Sequence, residues 1–306
     1  MSAYDLLAPA APKRVLFIGE TITDVYHYGR AQGRPMKESI PCLEHVRSEE
    51  WRGGVHASAA HARALCANVD VVSWVAIRKE RWIEEAHTRK LFELYGPIER
   101  VNSARCPRLA DYDRVCVNDY GHDMFDRETI GLICKEARFL ALNVQTNSGN
   151  YGFNLATKWP RADYLCCQEF EARLATQNRS GPIEASLEKL ATFATRVAVT
   201  RGGAGAIGME NGIITAQPAV STQVVDTLGA GDAFFAVTAV LAGDVPMAEL
   251  LRVGNAAGAL KVGWVGHRKS VTKQELFQLL NTKAAEEAQP EIGNQFRVGV
   301  GEEGME

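Results

Sequence analysis

Apolar positions along the chain cluster into short unbroken runs, and between the runs lie longer stretches of helical character. Residues 14–19, 69–75, 114–117, 139–144, 162–167 and 197–200 are runs of the first kind and predict strands of a buried sheet. A small-residue stretch opening at Arg52 predicts a helix to about Ala67. Val224 and Val225 read as the end of another strand, and the apolar run that follows, unbroken until Gly243, predicts a buried helix. Asp244 and Pro246 start a further helix that carries residues 254–260. Strands alternating with helices from residue 14 to about 280 predict an α/β fold, a mostly parallel sheet with helices on both faces. Residues 25–50 break this rhythm with short segments punctuated by Gly and Pro, including a strand at 40–46, and suit a small projecting β lid. No repeat or linker divides residues 1–281, which read as one domain, whereas 282–306 are polar and Glu-rich and read as a disordered tail.

Charge and cysteine usage narrow the function classes. A formal net charge of −3, without a long Lys or Arg run, gives no reason to expect nucleic acid. The chain has no stretch of 18 consecutive apolar residues, so no membrane span is expected. Seven cysteines, an odd number without a Cys-x-x-Cys pair, suit free thiols in a reducing compartment, and a cytoplasmic protein is expected. Cys166 and Cys167 adjoin within an apolar run and read as buried thiols.

The stretch with most chemistry is Asp226-Thr227-Leu228-Gly229-Ala230-Gly231-Asp232. Its glycines leave bare N–H groups at the positive end of the following helix, a place for an anion, and Asp232 sits within a few residues of them. Asp232 can be a cap or turn residue, or the base that takes a proton from a hydroxyl attacking a phosphoryl group. Asp24 follows the first strand at the carboxyl end, where open α/β sheets bind ligands, and it serves equally as a turn residue. Gly53 and Gly54 permit close approach of backbone to a ligand. The loop Gln145-Thr146-Asn147-Ser148-Gly149-Asn150 can bond a ligand or its own turns. Gly203-Ala204-Gly205-Ala206-Ile207-Gly208 spells a dinucleotide fingerprint, but Asn211-Gly212 predicts a hairpin there, which leaves no helix to seat a pyrophosphate.

Asp-Thr-x-Gly-Ala-Gly-Asp running into a helix resembles the C-terminal signature of the PfkB, or ribokinase-like, carbohydrate kinases. The resemblance covers nearly all of residues 14–280. It is nearest the heptose-phosphate kinase branch found with sugar nucleotidyltransferases, on Asp24-x-Tyr26-x-Tyr28-Gly29 and on Gly263-Trp264-Val265-Gly266. It implies a ribokinase-like fold and phosphorylation of a sugar or sugar phosphate by ATP with Mg²⁺, with room for a monovalent cation and for a homodimer formed through the lid. Gly229, Ala230 and Gly231 would form the anion hole and Asp232 the base. Asp24, Gly53, Gly54 and His56 would bind the sugar. Thr200, Gly202, Gly205 and Asn255 would bind the nucleotide, and Glu171 would serve Mg²⁺. Residues 78–95 would complete the lid, where Lys79 and Arg81 could meet a substrate phosphate. The chain departs from the family at Ala57, where an Asn is usual, and at Gln168, again in place of Asn. About one βα unit, on the order of 30 residues, is missing after Val75. These departures support the alternative of a nucleotide- or sugar-binding protein that partners a nucleotidyltransferase without turnover.

Overall fold

The computed structural model describes residues 2–101, 106–220 and 222–288. Helix α1 (Ala3–Leu7) precedes β1 (Arg14–Gly19), after which the chain leaves the main sheet through β2 (Thr21–Gly33) and β3 (Cys42–Gly54). It enters α2 (Val55–Ala62), returns to the sheet as β4 (Asn68–Val72), and leaves again through β5 (Val75–Glu84), β6 (Arg89–Tyr95) and β7 (Glu99–Arg100). Then come β8 (Arg114–Asp119), α3 (Arg127–Glu136), β9 (Leu140–Val144), β10 (Ala162–Gln168), α4 (Glu169–Thr176), α5 (Ile183–Leu190) and β11 (Ala194–Thr200). The hairpin β12 (Ala206–Glu210) and β13 (Ile213–Gln217) follows, and α6 (Ala230–Leu241), α7 (Met247–Lys261) and α8 (Lys273–Ala288) close the described chain.

The main sheet has eight strands in the order β13-β12-β11-β10-β9-β8-β1-β4. From β11 to β4 neighbouring strands run parallel, and β12 and β13 add an antiparallel edge. Each face carries its own apolar layer, so the parallel strands are apolar at nearly every position. Val15 and Phe17 of β1 pack toward α1, α2, α6, α7 and α8, while Leu16 and Ile18 pack toward α3, α4 and α5. Phe17 meets Phe235 of α6 edge-on at 6.5 Å. Helix α6 is buried from Asp232 to Leu241, which explains why its sequence is apolar all round.

The expected hairpin is present: Asn211 and Gly212 both take positive φ, 50° and 77°, as a tight two-residue turn requires. The lid is a five-stranded sheet, and it is larger than residues 25–50 and 78–95 suggest. Pairing of β2 with β3 begins at Thr21 and Gly54, and β5 joins β2 in parallel from Ala76, so the ladder starts where β1 ends. The strand expected over 69–75 stops at Val72, and Val75 already belongs to the lid. No helix intervenes between β4 and β5, and β4 is left as the edge of the main sheet.

Three local expectations are corrected. Val224 and Val225 are exposed and form no strand, because the N–H groups of Val225 and Asp226 both donate to the Val262 carbonyl, at 2.8 and 3.1 Å. The helix expected to reach Ala67 ends at Ala62, where Ala64 and Leu65 donate three residues back and tighten the chain into a turn. Helix α8 continues to Ala288, past the expected start of a tail at 282, and residues 289–306 of that tail lie outside the described residues.

Candidate active site

Helix α6 is capped by Gly229, which takes φ 75°, a conformation open to glycine, and offers no side-chain cap to the first N–H groups. A Cβ at Gly229 would lie 2.9 Å from His267 Cε1 and 3.3 Å from Lys261 Cε, so these two side chains press against the turn. Gly231 is exposed, and nothing lies within 4 Å of where its Cβ would be. The helix end is thus open at Gly231, with its dipole facing outward, while the Ala230 N–H makes a long bond of 3.3 Å to the Thr227 carbonyl.

Asp232 lies in the first turn of this helix with its carboxyl group turned inward. One carboxylate oxygen accepts from the Tyr120 hydroxyl at 3.0 Å and from Gln145 Nε2 at 2.9 Å. Burial raises its pKa, against the opposing pull of His267, Tyr120 and Gln145. A carboxylate of raised basicity beside an open helix N-terminus can accept a proton next to a bound anion.

Asp226, at the start of the same motif, has a structural task. It accepts from Tyr26 Oη at 2.9 Å, Lys90 Nζ at 2.8 Å, Gly266 N at 2.9 Å and Leu228 N at 3.1 Å. Burial alone would raise its pKa, but Lys90 and the backbone donors hold it well below the usual carboxylate range. Tyr26 and Lys90 come from β2 and β6, so the lid is fastened to the loop that precedes the anion turn.

The residues expected to bind sugar divide into two groups. Asp24 on β2 is buried, pairs with Arg81 of β5, and lies 3.3 Å from His267 Nε2. Burial would raise its pKa, yet His267 and Arg81 hold it below the ordinary value. Gly53 has no room for a side chain because Asp24 and His267 fill that space, and Gly54, at φ 59°, is pressed against the Glu20 carbonyl. Asp24, Gly53, His267 and Gly229 therefore form one continuous surface. His56 stands apart from it, bonded through Nε2 to Thr21 Oγ1 at 3.0 Å, with its pKa lowered to about 4 by burial and by Arg52 and Arg63. Ala57 is buried, and the neighbouring Ser58 accepts from Asn118 at 3.0 Å.

The expected nucleotide residues gather toward the β11–β13 edge of the sheet. Thr200 ends β11 opposite Gln168, and Gly202 and Gly205 shape the turn into β12 with φ 55° and 86°. Gly205 abuts the backbone at residues 217–219. Asn255 of α7 donates to the Gln217 and Pro218 carbonyls at 3.1 and 2.8 Å, so its amide holds the end of β13 in place. Glu171 closes a capping box at the start of α4, accepting from Gln168 N at 2.7 Å and Thr146 N at 3.0 Å. Burial pushes its pKa up to about 7, and the Asp232 charge adds to the rise. Both carboxyl groups keep lone pairs beyond these bonds, and two mutually repelling acids with hard oxygens fit a hydrated Mg²⁺.

Sequence reasoning passed over Tyr120 and Gln145 as partners of Asp232, and Lys261 and His267 as walls of the anion turn. The polar ends of β8 and β9 were the visible trace of the first two. A single lysine in the small-residue helix α7 was the trace of the third.

Residues 129–274 match the model of the pfkB family carbohydrate kinase. A Bordetella bronchiseptica protein named D-beta-D-heptose 7-phosphate kinase is 24% identical over 307 residues, covering 87% of this chain and 96% of that protein. A Haloferax volcanii protein named 2-dehydro-3-deoxygalactonokinase is 34% identical over 127 residues, and that match spans 40% of this chain and 39% of the relative. Among solved structures, ribokinase from Thermotoga maritima aligns with a TM-score of 0.67 at 16% identity, covering 88% of this chain and 99% of that one. The open α6 terminus and the buried Asp232 both lie within the residues that match the pfkB family carbohydrate kinase model, and the chain as a whole has a ribokinase-like fold.

Proposed function

We propose that the protein transfers the γ-phosphoryl group of ATP to a hydroxyl of a sugar or sugar phosphate. The observation that carries this reading is the buried Asp232 carboxylate, raised in pKa, in the first turn of a helix whose N-terminal donors are open. The acceptor hydroxyl gives its proton to Asp232 and its oxygen attacks the γ-phosphorus. The bond to the bridging β-phosphate oxygen then breaks, and ADP leaves. N–H groups at Gly229, Ala230 and Gly231 stabilise the charge on the moving group. Mg²⁺, when bound near Glu171, supplies charge neutralisation to the phosphates. Thr200, Gly202 and Gly205 line the nucleotide side, and Asn255 acts there through the backbone it holds. Asp24, Gly53 and Gly54 line the acceptor side.

A phosphorylated acceptor such as a heptose phosphate is the favoured class, supported by the name of the Bordetella relative and by Lys79. Among the described residues Lys79 is buried without an ion pair, with its ammonium 4.9 Å from the Tyr95 ring centre. Arg81 is already taken by Asp24 and Glu93, so Lys79 is the better phosphate ligand of the two. Exposed Phe92 and Leu94 on β6 support a homodimer through the lid. The alternative, a binding protein without turnover, draws support from the Asp24–Arg81 pair, which occupies the carboxylate expected to meet the sugar.

The test is an ADP-release screen of purified protein with ATP, Mg²⁺ and a panel of sugars and sugar phosphates, run beside a melting curve with millimolar ATP. Turnover on a sugar phosphate with a raised Tm is expected. A raised Tm without turnover favours the binding protein, and neither signal overturns both readings.

A further inference from the structure

Lys261 is the last residue of α7 and has no exposed surface, and among the described residues its ammonium has no hydrogen-bond partner. Taking an ammonium out of water is costly unless partners compensate, and packing alone would be served better by methionine or leucine. Nearby acids do not supply the missing bonds. Asp226 already accepts from four donors, Asp232 from Tyr120 and Gln145, and Asp24 is paired with Arg81 and His267. The Trp264 ring, with its centre 5.6 Å away, offers a cation–π contact but no acceptor for the ammonium. The side chain reaches Gly229, since its Cε would touch a Cβ placed there. A buried cation with three unused donors therefore stands beside the open first turn of α6.

We propose that Lys261 is a catalytic residue whose ammonium donates to an oxygen of the phosphoryl group in transit, completing the anion site begun by the Gly229 turn. This rests on the kinase reading above. No proton leaves Lys261 in the step: it stays an ammonium while the acceptor proton passes to Asp232 and ADP departs. The charged groups facing it are Asp226, Asp232, Asp24 and Lys90, and His61 and His267 lie close by. Burial lowers the Lys261 pKa to about 8, so the ammonium form persists at neutral pH and is lost as pH rises through that value.

The experiment compares the full-length protein with Lys261→Met and Lys261→Gln, using ATP, Mg²⁺ and the best acceptor of the screen. Both variants should lose about 10²–10³-fold in kcat, as loss of one anion-hole donor does, with KM values within about three-fold and Tm unchanged or higher. The wild-type kcat should fall as pH rises through about 8, and the residual kcat of Lys261→Met should lack that limb. A kcat within about three-fold of wild type, or a loss that follows unfolding in both variants while the wild type shows no alkaline limb, overturns the assignment. If the wild type phosphorylates nothing, the kinase reading has failed separately, and binding of ADP with aluminium fluoride decides the role of Lys261. Weakening of that complex by about tenfold or more in Lys261→Met, with ADP alone unchanged, supports the anion contact, and equal binding overturns it.

Discussion

The Tyr120 hydroxyl and the Asp232 carboxylate are 3.0 Å apart, joined across 112 positions of sequence, and the oxygen they share also accepts from Gln145. An asparagine at 232 keeps an oxygen for both donors but cannot take a proton. Asp232→Asn should therefore leave the melting curve and ATP binding nearly unchanged and lower kcat by roughly 10²–10⁴-fold. Turnover within a few-fold of wild type would remove Asp232 from the chemistry.

Tyr120→Phe isolates the effect of that bond on the base. The tyrosine donates to the charged carboxylate and so lowers a pKa that burial has raised. Without it the pKa rises further, and the acid limb of kcat/KM should move to higher pH while the plateau changes little. A limb that stays in place or moves to lower pH would contradict the arrangement.

Asp24 and Arg81 test the closed acceptor side. Asp24→Asn removes one charge of a buried pair and should cost about 3–5 kcal/mol in urea unfolding, because Arg81 keeps only Glu93 at the rim. The double change Asp24→Asn with Arg81→Met should recover most of that loss. Independent, additive costs would show that the two side chains do not act as a pair.

Asn255 should behave as a support of the nucleotide side. Asn255→Ala removes two hydrogen bonds to the carbonyls of Gln217 and the exposed Pro218, and a loss of about 1 kcal/mol in stability is expected, together with a raised KM for ATP and a nearly unchanged kcat. A fall in kcat at constant KM would assign the amide to the reacting groups.

Glu171→Gln carries a prediction about pH. The glutamate is raised from 4.5 to about 7 by burial, so its contribution favours the fold at low pH and is lost as pH rises through 7. The variant should gain on the wild type in Tm as pH climbs from about 5 to 8, while needing more Mg²⁺ for half-maximal turnover. A Tm difference independent of pH would show that the carboxyl group ionises in its ordinary range.

The sequence was most legible where the chemistry is local. Gly229, Gly231 and Asp232 lie within one turn, and the Asn211-Gly212 hairpin is decided by two residues, so local conformational rules suffice for both. Strands β1, β8, β9 and β10 were visible because burial on both faces leaves few polar positions in them. What escaped depends on register between distant segments. Arg81 reaches Asp24 through the parallel pairing of β5 with β2, and Lys90 reaches Asp226 only once β6 is laid against β5. The lid was underestimated for the same reason, since β3 is exposed along most of its length and only its first part shows in the sequence, as the strand expected at 40–46.

Asp226 takes two of its four donors from the lid, Tyr26 and Lys90, and the other two from the backbone on either side of the anion turn. Lifting the lid would strand a buried negative charge at the foot of that turn, so the turn holds its shape when the lid is seated. Water entering an open cleft would then meet a slackened phosphate site. Under the kinase reading proposed above, the fastening would act as a safeguard against futile hydrolysis, reserving the nucleotide for an acceptor enclosed beneath the lid.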